Sequence, residues 1–198
     1  TNHAFVLGDV VAGGDVRLDN HAGITGDVYL AGDLVLEHAS SVDGEVRRLD
    51  VPPEPCECGY DIDAVLEWRS TNNDNDLLES DPVIAPFIQD GSLEIDCSCG
   101  CGGRCTVVLP AGAFYLEQLV LRGNAELALA EGAQVELYLR SGLVVERNAR
   151  MPGDPARAGD LLVVLGADTE AGGRLVLENN TDLALMLYAP RARLALPN

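Results

Sequence analysis

The sequence contains no lysine, and its basic residues are few. All 13 are arginines, set against 32 acidic residues, so the formal net charge is −19 at pH 7. A surface this acidic repels nucleic acid and anionic membranes, which excludes nucleic acid as a partner. The chain also lacks any apolar run approaching the roughly 20 residues that a membrane-spanning helix needs, so we expect no membrane insertion.

Aromatic residues are scarce as well, at 5% of the chain, although 47% of the residues are hydrophobic. The core must therefore be built from aliphatic side chains. Together with 21 glycines, this composition is typical of thin, repetitive β-architectures, in which small residues form the corners.

An internal repeat decides the predicted fold. Residues 8–25 and 26–43 align at an offset of 18, and each repeat contains a period of six. The aliphatic residues at that spacing are Val6, Ala12, Leu18, Ile24, Leu30, Leu36 and Val42. Gly or Asn, which tolerate positive φ at sharp corners, follows most of them by two residues. Residues 1–49 are therefore predicted to form triangular 18-residue rungs.

The rest of the chain continues the pattern less regularly. Residues 106–198 contain further aliphatic strands that end at Asn124, Asn148 and Asn180, which predicts larger rungs. The overall prediction is an all-β, single-stranded β-solenoid forming one domain over 1–198. Because the sequence stops in what reads as the middle of a repeat, we expect the natural chain to continue beyond Asn198.

Residues 50–105 interrupt the repeat with a segment rich in proline and cysteine. Its prolines, beginning at Pro52, cannot take part in a central strand. Residues 61–70 are predicted to form a short helix with Asp61 as its N-cap. We expect this helix to lie across the strands and to bury Trp68, the only tryptophan.

All six cysteines lie in this insert: Cys56, Cys58, Cys97, Cys99, Cys101 and Cys105. In an oxidising compartment they would form three disulfides that staple a segment without a core of its own. In a reducing compartment they would instead hold Zn²⁺ or Cu⁺ through thiolates. The spacing favours disulfides, because it is not the paired CxxC of structural zinc sites.

Residues suited to catalysis are not apparent, and we predict that the protein is not an enzyme. Its three histidines fall outside any nucleophile or phosphate-binding motif, and no carboxylate pair stands out. Asn72, Asp74 and Asp76 have the alternating oxygen ligands of a calcium loop, but the glycine and terminal glutamate of an EF-hand are missing. We therefore expect no cofactor, and calcium and zinc are the only ones with a candidate site.

Several segments resemble known bacterial families. The segments LPAGAFYLEQLVLRG (109–123) and LYAPRA (187–192) resemble the β-helix domain of pilus-associated and envelope proteins, the PilX-type C-terminal domain of unknown function. The GDV hexads of residues 6–46 are similar to those of bactofilins, which are right-handed solenoids that polymerise end to end. The resemblance implies a right-handed coil, a bacterial extracellular or cell-surface location, and envelope or pilus components as partners.

The function expected from the sequence is structural. The open ends of a strand stack carry unpaired backbone groups, and these can pair with another copy. We therefore expect a secreted or surface scaffold that assembles with itself end to end into filaments. The alternative is an extracellular binding module that holds a metal ion or a carbohydrate.

Overall fold

The structure of the chain is a computed structural model. It describes residues 5–6, 8–12, 15–18, 21–51, 61–97, 103–151, 155–166, 174–178, 181, 183–189 and 193–195. The chain divides into two compact units, whereas the sequence analysis treats it as one domain. Unit 1 comprises Thr1–Tyr60, Glu178–Asn180 and Leu196–Asn198, and unit 2 comprises Asp61–Leu177 and Thr181–Ala195.

Unit 1 is built from eight short strands among its described residues. They are β1 (Phe5–Val6), β2 (Val10–Ala12), β3 (Val16–Leu18), β4 (Gly23–Ile24), β5 (Val28–Leu30), β6 (Leu34–Leu36), β7 (Ser41–Val42) and β8 (Val46–Arg48). They form three separate parallel sheets, ordered β1-β4-β7, β2-β5-β8 and β3-β6. Paired residues are 18 apart, as in Val10 opposite Val28 and Val28 opposite Val46, so the sequence repeat sets the register.

The core of unit 1 comes from the six-residue spacing. Leu18, Ile24 and Leu30 are almost fully buried and pack with Val16, Ala22 and Val28. Successive side chains of a strand point to opposite faces, so Arg17 and Tyr29 lie on the outer faces between buried neighbours. Gly26 and Gly44 allow the strands to stack closely, because a Cβ atom on either would collide with the carbonyl group of the glycine 18 residues earlier.

Unit 2 contains the longer strands and the helices. Its strands are β9 (Ile88–Gln89), β10 (Ser92–Cys97), β11 (Cys105–Leu109), β12 (Gly112–Gly123), β13 (Ala125–Leu129), β14 (Val135–Val145), β15 (Leu161–Leu165), β16 (Arg174–Leu177), β17 (Met186–Tyr188) and β18 (Arg193–Ala195). Its helices are α1 (Ile62–Thr71) and α2 (Asn75–Ser80), with 3₁₀ turns at Ala85–Phe87 and Pro155–Asp160.

One mixed sheet of eight strands dominates unit 2. Its path runs β17-β15-β14-β12-β10-β9, and β16 and β18 extend it from β14; β11 and β13 form a second, two-stranded parallel sheet. The inner face is mostly aliphatic, although it includes Phe114, and Leu119, Leu137 and Val163 are fully buried in it. This matches the scarcity of aromatic residues in the sequence.

The predicted single-stranded β-solenoid is wrong as a description of this chain. Among the residues that the structure describes, the strands form five separate sheets in two units, and one sheet is mixed because β9 and β10 pair antiparallel. The six-residue spacing reports only local strands and corners, so it could not reveal that residues 61–97 supply two helices and an antiparallel pair. The 12-residue β12 and 11-residue β14 likewise exceed the predicted short strands.

Helix α1 lies one residue away from its predicted position at 61–70. The Asp61 carboxylate caps it, accepting hydrogen bonds from the backbone N–H groups of Asp63 and Ala64. Ile62 and Leu66 pack against the outer face of the large sheet. The expectation that the helix buries Trp68 is wrong, because that side chain is 55% exposed. One helical turn separates buried Ile62 and Leu66 from each other, and Trp68 lies off this stripe.

Candidate interaction surfaces

A column of carboxylates runs along unit 1. The Oδ1 atom of Asp9 accepts the backbone N–H of Asp27 at 2.8 Å, and Oδ1 of Asp27 accepts the N–H of Glu45 at 2.8 Å. Asp15 accepts the N–H of Asp33 in the same way at 2.7 Å. Each bond joins residues 18 apart. These acidic side chains therefore satisfy backbone donors in the corners, where strand pairing does not reach.

At Asp27 the hydrogen bonds favour the ionised carboxylate. The pKa of the Asp27 carboxyl lies below its ordinary value, chiefly because of the hydrogen bond from the Glu45 N–H and next because of the bond from the Tyr29 hydroxyl. The same contact raises the pKa of Tyr29, since ionisation of its hydroxyl would place two negative charges together. Some of the acidic side chains thus stabilise the fold by accepting backbone hydrogen bonds.

Strand β8, the last described strand of its sheet, carries a charge at an inward position. The register places Arg48 opposite Leu30, which is itself opposite Ala12, and both of these residues contribute to the core. Arg48 instead forms an exposed ion pair with Asp33. Val46 in the same strand is 48% exposed, although its register partner Val28 is fully buried. A strand added here would have to bury the guanidinium group, so Arg48 protects this edge.

Two residues that precede α2 or begin it pair with the first half of β12, which β10 does not reach because β10 pairs with β12 only from Leu119 to Gly123. Asp74 pairs with Ala113 of β12: its N–H donates to the Ala113 carbonyl and its Oδ2 accepts the Ala113 N–H, both at 2.8 Å. Asn75 pairs with Tyr115 through both ends of its amide. We call these two residues the β12 clamp. Gly112 leaves room for it, because a Cβ there would lie 3.1 Å from Asp74 Oδ2.

Strand β17 lies at one end of the path of strands in the large sheet. Among the residues that the structure describes, β17 pairs with β15 alone. Leu187 is opposite the fully buried Val163 but is itself 40% exposed, and Met186 is 50% exposed. The strand carries no charged residue. It therefore presents exposed apolar side chains at one end of the described sheet.

Arg69 forms a polar cluster at the end of α1. Its guanidinium lies between two aromatic rings, 4.9 Å from the centre of Trp68 and 4.6 Å from that of Tyr138. It also donates to Glu136 at 2.8 Å, and the Tyr138 hydroxyl donates to the same carboxylate oxygen at 2.8 Å. Burial raises the pKa of Tyr138, and its hydrogen bond to Glu136 raises it further. The exposed part of this cluster is the Trp68 indole.

The structure describes two of the six cysteines. Cys97 and Cys105 form a disulfide, with their Cα atoms 5.9 Å apart. Cys56, Cys58, Cys99 and Cys101 lie outside the described residues, so the choice between disulfides and metal ligation for them stays a prediction. Cys97 is buried at the end of β10, and Cys105 begins β11. The bond therefore closes the loop between two strands of the core.

The three calcium candidates have other roles in the structure. Asn72 is the C-cap of α1, where its Nδ2 donates to the Trp68 carbonyl at 2.9 Å. Asp74 belongs to the β12 clamp, and Asp76 is exposed in the first turn of α2. Within the described part of the chain, no group of three or more His, Cys, Asp or Glu side chains is arranged to hold a metal ion.

Sequence reasoning missed the features that shape the sheet edges. Six residues after Val42, the last member of the aliphatic series, comes Arg48. The charged residue that ends the series was therefore a usable signal. The β12 clamp left no such signal, because its partners Ala113 and Tyr115 are about 40 residues further along the chain.

Similarity to known proteins does not assign a function. No protein-family model matches the sequence, and neither a curated protein nor a solved structure matches the chain. The resemblance to PilX-type domains and bactofilins therefore stays a prediction. Among the described residues, none of the helices is long and apolar enough to span a membrane.

Proposed function

We propose that this protein is a non-catalytic structural protein that associates with other copies of itself through the edge of its large sheet. The observation that supports the proposal is the exposure of β17. Leu187 continues a row of inward residues formed by Phe114, Leu137 and Val163, all fully buried. An apolar segment of a second copy that packs against Met186 and Leu187 would continue this row and remove both side chains from water.

The contrast with the other edges supports the same proposal. The β12 clamp satisfies backbone groups in the first half of β12, and Arg48 places a charge on β8. Proteins commonly protect their sheet edges in these ways against unwanted pairing. The β17 segment is apolar and uncharged in a chain with a net charge of −19, so it is a surface on which association is expected.

An extracellular or cell-surface location is part of the proposal. Disulfides persist in oxidising compartments, and the Cys97–Cys105 bond is consistent with such a place. Envelope or pilus components remain proposed partners on the resemblance alone.

The test is the mass of the purified protein in solution over a series of concentrations. Size-exclusion chromatography with light scattering, together with negative-stain electron microscopy, should show species larger than the monomer as concentration rises. A monomer at every concentration up to the millimolar range would overturn the proposal.

A carbohydrate-binding role is the second candidate, and the exposed Trp68 favours it. An exposed indole beside hydrogen-bonding groups, here Arg69 and Glu136, suits an apolar sugar face with polar edges. Titration with soluble oligosaccharides should then change the fluorescence of this single tryptophan. The variant Trp68→Ala should lose binding detected by calorimetry, whereas Leu77→Ala, another exposed apolar change in the insert, should keep it.

A further inference from the structure

The segment that contains α1 and α2 exposes large apolar side chains. Trp68 in the last turn of α1 is 55% exposed, Leu77 in the first turn of α2 is 47% exposed, and Val83, shortly after α2, is 60% exposed. The helices bury other residues, since Leu66 packs against the outer face of the sheet and Leu78 belongs to the main core. Trp68, Leu77 and Val83, which we call the α1–α2 surface, are therefore apolar groups left in water.

The same segment is strongly acidic. Between residues 61 and 84 the only basic residue is Arg69, and it is already paired with Glu136. Three of the acidic residues there accept backbone hydrogen bonds, namely Asp61, Asp74 and Asp81. Three others are exposed and form no ion pair with any residue that the structure describes, namely Glu67, Asp76 and Glu79. The α1–α2 surface thus combines apolar side chains with carboxylates that have no counter-charge.

Charge decides which partner this surface fits. A second copy of the chain, nucleic acid or an anionic membrane would each bring negative charge towards the segment, in a chain of net charge −19. A basic segment of another protein would instead be attracted by Glu67, Asp76 and Glu79 while it covers Trp68 and Leu77. We infer that the α1–α2 surface docks a basic polypeptide segment in which arginine or lysine residues are interspersed with aliphatic residues. This interaction is separate from the self-association proposed for β17.

Trp68 is the expected anchor of the interaction. The guanidinium carbon of Arg69 lies 4.9 Å from the centre of the indole and covers one face of the ring, while Glu136 balances its charge at 2.8 Å. The exposed area of the indole therefore belongs to its other face and its edges. An arginine or lysine of the partner above that face makes a cation–π contact, and its aliphatic stem covers the ring.

The test adds two short synthetic peptides to the full chain. One is composed of arginine, leucine and serine, and the other has citrulline in place of arginine, which keeps the shape and removes the charge. Because Trp68 is the only tryptophan, its fluorescence reports binding at this surface. The arginine peptide should change the fluorescence and saturate, with an affinity that falls as salt rises. The citrulline peptide should bind about tenfold more weakly, because the complementary charges are lost.

The first variant to test is Trp68→Ala. It should weaken binding of the arginine peptide, measured by calorimetry, by about tenfold, as truncation of an aromatic anchor does. Its control is Val108→Ala, which shortens an exposed apolar side chain on β11 and should leave the affinity unchanged. Circular dichroism must show that both variants are folded.

A second pair of variants separates local charge from net charge. Glu67→Gln combined with Glu79→Gln removes two carboxylates beside the α1–α2 surface and should weaken binding. Asp43→Asn combined with Glu131→Gln removes the same charge from exposed positions outside the segment and should not.

The outcomes decide the inference without touching self-association, which the mass of the protein tests alone. Weaker binding in Trp68→Ala and in the Glu67 and Glu79 variant, with both controls unchanged, supports the docking surface. Equal weakening by the two double variants would reduce the effect to net charge, and equal binding of the two peptides would leave no role for charge. Either result overturns the inference. A response to neutral oligosaccharides but not to the arginine peptide also overturns it and favours the carbohydrate-binding role.

Discussion

Asn75 pairs with Tyr115 as the backbone of a neighbouring strand would. Its Nδ2 donates to the Tyr115 carbonyl at 2.6 Å, and its Oδ1 accepts the Tyr115 N–H at 3.0 Å. Asp74 pairs with Ala113 through its own backbone N–H, which donates, and its Oδ2 atom, which accepts. Two consecutive residues therefore satisfy four backbone groups of β12. Unpaired backbone groups of a strand can pair with further strands. The β12 clamp therefore stabilises unit 2 and also occupies the backbone groups of the first half of β12, which β10 does not reach.

The first prediction concerns this clamp. Asn75→Ala removes both side-chain bonds and leaves the partly buried backbone groups of Tyr115 without partners, which costs about 1–3 kcal/mol. Urea unfolding followed by the fluorescence of Trp68 should show this loss. Ser80→Ala at the exposed end of α2 is the control and should change the free energy of unfolding by less than about 0.5 kcal/mol. Equal effects would mean that the clamp adds nothing.

The second prediction concerns Arg48 as a protecting charge. Arg48→Leu would place an aliphatic side chain in line with Ala12 and Leu30 and open the last edge of unit 1. Compared with the parent protein, this variant should show increased association that depends on concentration. Arg47→Leu removes the same charge from the outer row shared with Tyr29 and should not increase association. Sedimentation velocity distinguishes these results. If both variants associate, the change in net charge, rather than the position of Arg48, would explain the effect.

The repeat made the strands of unit 1 predictable. Spacings of six and 18 place Val10, Val28 and Val46 in one row because each repeat adds one strand to each sheet. They also identify the buried positions, such as Leu18 and Ile24. What the spacing lacks is information on where a sheet ends, since strand pairing is set by contacts that the local pattern does not encode.

The candidate surfaces were less predictable for the same reason. The oxygen-rich segment from Asn72 to Asp76 indicated a calcium loop, yet the oxygens of Asp74 and Asn75 bind backbone amides of β12. Side chains rich in oxygen suit either partner, and only the position of a strand distant in sequence decides between them. The exposure of Trp68 likewise depends on which stripe of α1 meets the sheet.

The third prediction is a change in pKa. Tyr29→Phe removes one of the two hydrogen bonds that lower the pKa of Asp27, so this pKa should rise toward 3.8. It should stay below that value, because the larger cause, the Glu45 N–H, remains. NMR titration of the Asp27 carboxyl carbon measures it. Since the folded-state pKa is lowered, the stabilisation is present above pH 3.8 and is lost as the pH falls through the folded pKa. An unchanged pKa would contradict the role of Tyr29.

The fourth prediction concerns the contact between α1 and Gly166. A Cβ at Gly166 would collide with Leu66 Cδ1 and lie 3.1 Å from the Arg140 carbonyl oxygen. Gly166→Ala should therefore push the helix outward and cost about 1–3 kcal/mol in urea unfolding. Gly159→Ala, where a Cβ meets nothing, should be close to neutral. The double variant with Leu66→Ala should be more stable than the sum of the single effects predicts, and strict additivity would show that the two sites do not touch.

The last prediction concerns the Cys97–Cys105 disulfide. Register places Cys97 opposite Gly123 and Cys105 opposite Ala125, so the bond joins the two ends of a corner that the single residue Asn124 spans between the next strands. Without the bond, the two ends of the segment between Cys97 and Cys105 would be free to move apart in the unfolded chain. Closing so short a loop stabilises the fold by about 2–3 kcal/mol on the chain-entropy account.

Replacing both cysteines with serine should lower the free energy of unfolding by this amount under oxidising conditions. Under full reduction, the parent protein and the variant should become similar in stability, because the bond is then absent from both. A variant as stable as the oxidised parent would mean that strand pairing alone holds this corner, and peptide mapping without reductant would then show whether Cys97 has another partner.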